Sequence, residues 1–74
     1  MDIETRRLKA LLGAHSALLP SEARARVLAP VRAAHARLEA HPSRAARGSY
    51  QAALRFAISA ARASRADVLN QERR

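Results

Sequence analysis

The chain has 74 residues and no cysteine, enough for one domain and too few thiols for any disulfide or thiolate metal site. Alanine supplies 19 of its hydrophobic residues, which leaves 17 larger apolar side chains for a core, and the formal net charge is +8. No apolar run approaches the roughly 20 residues needed to cross a bilayer, and Met1-Asp2-Ile3-Glu4 lacks the basic-then-apolar order of a signal peptide, so a cytoplasmic protein is expected.

In chain order, Asp2 is placed as the N-cap of a first helix over about residues 3–18, where Leu8, Leu11, Leu12, Leu18 and Leu19 recur at helical spacing with His15 on the same face. Gly13 inside it costs roughly 1 kcal/mol against alanine, which marks either a fraying end near Ala14 or a close helix contact. Pro20 stops this helix. Ser21 is read as the cap of a second, over about residues 22–40, whose stripe is Val27, Leu28, Val31, Ala34, His35 and Leu38. Pro30 removes one backbone hydrogen bond and crowds the preceding turn, so a kink is expected between Arg26 and Pro30, two separate short helices being the alternative.

His41-Pro42-Ser43 ends the second helix, and residues 44–48 read either as loop or as the start of the third. Ser49 is taken as the better cap, giving a helix over about residues 49–70. Tyr50, Leu54, Ala57, Ile58, Ala61 and Val68 form one apolar stripe there, and Phe56 with Ala52, Ala60 and Ala63 forms another. A helix apolar on two sides needs two neighbours. One is the second helix; the other is expected from a second copy, because so small a core is thin for a monomer. The fold expected is all-α in a single domain over residues 1–74: a short first helix plus two long antiparallel helices, paired as a helical-bundle homodimer. Leu11, Leu12, Val27, Val31, His35, Leu38, Leu54, Phe56 and Ile58 are its expected core and dimer contacts.

Chemistry has little to stand on. His15 and His35 lie on apolar stripes, where a packed histidine is the simpler reading, and His41 sits in a turn, so neither a metal site nor a cofactor is expected. The six carboxylates are scattered, mostly near helix ends where they complement the dipole, and no serine sits in a nucleophile motif, so no catalytic residue is assigned and the protein is not read as an enzyme. Charge is the remaining signal. Residues 1–20 carry +1, residues 21–42 carry +2 and residues 43–74 carry +5. Arg32, Arg37, Arg55, Arg62 and Arg65 are therefore the candidate partner-binding residues, and they suit either an acidic protein surface or phosphates. The plainer reading is a solvated face that keeps an alanine-rich helix dispersed. With only Tyr50 and Phe56 as aromatics, stacking on single-stranded nucleic acid is not expected.

Through three short steps, Leu11-Leu12-Gly13, Leu19-Pro20 and His35-Ala36-Arg37-Leu38, the first half of the chain resembles the TraM-type antiactivators of quorum sensing. Leu11-Leu12-Gly13 is similar to the family's Leu-Ile-Gly step, Leu19-Pro20 to its Leu-Pro break and His35-Ala36-Arg37-Leu38 to its His-Arg-Arg-Leu step, with a looser likeness at Ser49-Tyr50-Gln51-Ala52-Ala53. The chain departs from the family in its basic charge and in shorter connections between helices. The resemblance implies a transcriptional antiactivator that binds and sequesters a LuxR-type activator and blocks its DNA binding; neither a small-molecule substrate nor a membrane partner is expected. The alternative class is a small basic nucleic-acid-binding accessory protein of a plasmid, phage or other mobile element.

Overall fold

The computed structural model describes residues 2–72, without the side chain of Glu72, and every described element is helical: α1 (Ile3–Ser16), α2 (Ser21–Ala40) and α3 (Arg44–Glu72). The start of α1 follows its sequence signal, since Asp2 adopts an extended conformation and its Oδ1 accepts the Thr5 N–H at 2.7 Å. α1 ends at Ser16, earlier than its leucine spacing suggests. The Ala17 N–H still bonds to the Gly13 carbonyl, but the Leu19 N–H turns back to Ser16 O at 3.0 Å and the chain tightens into a turn before Pro20. Gly13 therefore marks neither a frayed end nor a tight crossing, for a Cβ placed there would meet nothing within 4 Å.

Ser21 is not the cap of α2 but its first helical residue. Pro20 takes the N-cap position with ψ 155°, makes no side-chain cap bond, and lends its carbonyl to the Arg24 N–H at 2.9 Å. Pro30 leaves α2 a single continuous helix rather than two. Its ring forfeits one hydrogen bond, and the burial of Ala23, Val27, Val31 and Ala34 along one side outweighs that loss. The third helix starts at Arg44 rather than near residue 49. Ser43, not Ser49, caps it: the Ser43 Oγ accepts the Ala46 N–H at 3.0 Å. Ala45 and Ala46 then propagate the helix through Gly48, whose propensity cost of about 1 kcal/mol is too small to break a helix packed immediately downstream at Tyr50.

The turns at residues 17–20 and 41–43 make the three helices run up, down and up. α2 and α3 are antiparallel: Pro20 and Ala23 lie beside Ser64 and Val68, whereas Leu38 lies beside Arg47 and Tyr50. α3 is the central element, packing on both α1 and α2, which touch each other little. The outcome is an elongated body of 47 × 22 × 15 Å. Its core is Leu12 and Leu19 from the first segment, Ala23, Val27, Val31 and Ala34 from α2, and Tyr50, Leu54, Ala57 and Ala61 from α3, with Leu8, Leu28, Leu38 and Ile58 packed against it. No helix among the described residues is long and apolar enough to cross a membrane.

Candidate partner-binding surface

Because α1 and α2 both lie on α3 but hardly on each other, the seam between them stays partly open. Two adjoining depressions share Lys9, Val31 and Tyr50. One, of ≈ 210 Å³, is walled by Leu12 and Gly13 of α1 and Leu28 of α2 and floored by Leu54. The other, of ≈ 310 Å³, opens toward Arg32, His35 and Glu39. Together they make an apolar cleft with Lys9 and Arg32 at its margin and the Glu39 carboxylate beside His35, a geometry that suits an apolar anchor with an acidic group near the two cations.

Polar contacts fix α1 in place above this floor. Gln51 Nε2 donates to Asp2 Oδ2 at 3.2 Å and to Thr5 Oγ1 at 3.0 Å, so the capping residues of α1 are tied to α3. One turn on, Arg55 pairs with Glu4. The hydroxyl and N–H of Thr5 hold the Asp2 carboxyl below its usual range, as hydrogen bonds to a carboxylate do. At the other end, Arg24 folds back from α2 to the last turn of α1, with Nε donating to Ser16 O at 3.3 Å and Nη2 to Leu19 O at 3.1 Å. A cation thus satisfies carbonyls that the helix end leaves open. Neither Gln51 nor Arg24 stands out in the sequence. Gln51 reads as an exposed polar residue 49 positions from Asp2, and Arg24 as one arginine of thirteen.

Tyr50 is the pivot of the cleft. It is buried, its ring centroid lies 5.4 Å from that of His35 with the planes tilted by 54°, and burial raises its phenol above 10.0. His35 is half-buried, and its Nε2 stands 3.3 Å from Glu39 Oε1. His15 is also half-buried, and His41 closes α2 by donating its N–H to Arg37 O at 2.9 Å. Among the described residues no three His, Asp or Glu side chains come together in a group that could hold a metal ion.

The five arginines singled out from the sequence are all exposed but do not form one patch. Arg32 lies beside the cleft. Arg37 points about 140° away around α2, Arg55 is engaged by Glu4, and Arg62 and Arg65 lie further along α3. Of the expected core and dimer residues, Leu12, Val27, Val31 and Leu54 are buried; Leu38, Ile58 and His35 are half-buried. Leu11 and Phe56 lie outside the core of the single chain, 43% and 69% exposed. Comparison with family models, curated proteins and solved structures finds no match to this chain.

Proposed function

We propose that this protein is a non-catalytic regulator that works by binding another protein and, in line with its resemblance to the TraM-type antiactivators, that it sequesters a LuxR-type transcription activator and blocks its DNA binding. The apolar cleft between α1 and α2, with Lys9 and Arg32 at its margin, supports this reading. Such a cleft can seat a few apolar side chains of a partner while the cations steer an acidic segment to it. Arg37, on the other shoulder of α2, extends the positive field without lining the cleft.

The excess of cations supports a second reading, a nucleic-acid-binding accessory protein. Among the described residues only Arg55 of the arginines has a carboxylate partner. One gel-shift experiment separates the two. Added to a LuxR-type regulator already bound to its promoter, the protein is expected to release the DNA while shifting no DNA itself, and Arg32→Glu is expected to weaken the release without unfolding the chain. A protein that shifts promoter DNA alone, with a steep loss at raised salt, and leaves the regulator in place would replace the first reading by the second.

A further inference from the structure

The side of α3 turned away from α1 and α2 carries Ser49, Ala52, Phe56, Ser59, Ala63 and Ala66, all exposed. Their spacing alternates three and four residues, so they form the a and d positions of a heptad seam. Five are small enough to let another helix approach closely, and the sixth is a phenylalanine 69% exposed. Arg55 and Arg62 flank the seam in g positions, and Ala53, Ala60 and Asp67 flank it in e positions.

The chain exposes more surface than a compact monomer of its mass, in part because it is elongated and open between α1 and α2. It exposes 5499 Å² at 8.1 kDa, where a folded monomer of that mass exposes about 4,500 Å². The surplus of about 1,000 Å² is comparable to the ~800 Å² that each partner buries in a standard interface. The outer face of α3, with Phe56 69% exposed, contributes to it.

We propose that this face of α3 pairs, in parallel and in register, with the same face of a second copy. The charges choose both the partner and the direction. In a parallel pair a g residue faces the following e residue of the other helix, which sets Arg62 of each copy against Asp67 of its partner, two attractive pairs related by the twofold axis. In an antiparallel pair g faces g, which would set Arg55 and Arg62 of one copy against Arg62 and Arg55 of the other; Glu4 offsets part of the charge of Arg55, but no attractive pair then crosses the seam. Phe56 meets its counterpart at the centre of the parallel seam, where the neighbouring alanines and serines leave room for both rings. This assignment is independent of the cleft between α1 and α2, and it withdraws Arg62 from the arginines free to meet a regulator.

Sedimentation of the full chain across the micromolar range tests it, with circular dichroism confirming that each variant is folded. The wild type is expected to dimerise. Arg62→Asp or Asp67→Arg alone sets like charges across the seam and is expected to raise the dissociation constant at least about tenfold. An equimolar mixture of the two single variants, in which every cross pair is attractive again, is expected to dimerise as tightly as the wild type. Ala63→Cys, the only thiol in such a chain, is expected to form a symmetric disulfide on mild oxidation. A wild type that stays monomeric throughout, an Arg62→Asp variant that dimerises more tightly than wild type as an antiparallel seam requires, or a mixture no tighter than its components would overturn the proposal.

Discussion

Leu54 and Phe56 stand two residues apart on one helix, and truncation should cost much at the first and little at the second. Leu54 is 1% exposed and lies against Leu12, Val31 and Tyr50 at the meeting of all three helices, whereas Phe56 is 69% exposed. Cutting a buried leucine to alanine costs 2–5 kcal/mol, the lower values applying where neighbours can relax into the space. The cleft beside Leu54 gives its neighbours that freedom, so a loss of about 3 kcal/mol is expected. Domains of this length have about 4–11 kcal/mol in all. The melting temperature of Leu54→Ala should therefore fall by about 10–25 °C.

Phe56→Ala removes little buried area and gains helix propensity, so in the isolated chain it should change stability by no more than about 0.5 kcal/mol. Urea unfolding followed by circular dichroism at low and at high protein concentration reads both effects. If copies associate through the Phe56 seam, the wild type gains stability with concentration and Phe56→Ala does not. A Phe56→Ala variant as unstable as Leu54→Ala at the lowest concentration would refute the reasoning, because Phe56 would then belong to the core of the single chain.

Two further outcomes follow from the helix ends and the glycines. Ser43→Ala should cost about 1 kcal/mol in urea unfolding while Ser49→Ala and Ser21→Ala stay within about 0.5 kcal/mol, since only Ser43 of the three caps a helix; an equal cost at Ser49 would move the start of α3 back to it. Gly13→Ala and Gly48→Ala should each stabilise the chain by up to about 1 kcal/mol, because both glycines are helical with open space where the Cβ would go; a destabilised Gly13→Ala protein would mean that a neighbour does approach there.

The all-helical class and the faces of α2 and α3 that form the core were legible in the sequence because they rest on periodicity. The buried positions Val27, Val31 and Ala34, and Tyr50, Leu54, Ala57 and Ala61, fall on the stripes that three-and-four spacing picks out. Helix starts were less legible. Ser21, Ser43 and Ser49 are all plausible caps, and only Ser43 has its hydroxyl over an open N–H, a fact of backbone path rather than of residue type. The second apolar stripe of α3 is expected from the sequence to meet a second copy, and the single chain leaves it uncovered. α1 and α2 both settle on the opposite side of α3, so Phe56 faces outward. The cleft was illegible because it exists where two helices fail to meet, with α1 held on α3 by polar contacts of Gln51 and Arg55 that no local pattern announces.

Counting only large side chains makes this core look thin, yet Ala23, Ala34, Ala57 and Ala61 are among its ten buried hydrophobic residues, and Ala61 is 0% exposed. At these positions a methyl group stabilises less by its own burial than by letting α2 and α3 close on each other, so that backbone and Cβ atoms make the dispersion contacts that longer side chains would otherwise make. The same residue type, together with Ser49 and Ser59, leaves on the outer face of α3 a ridge of small side chains broken at Phe56. Close helix approach inside the chain and an open seam outside it thus have one origin: a central helix whose alanines serve both of its sides, with arginines set along the margins between them.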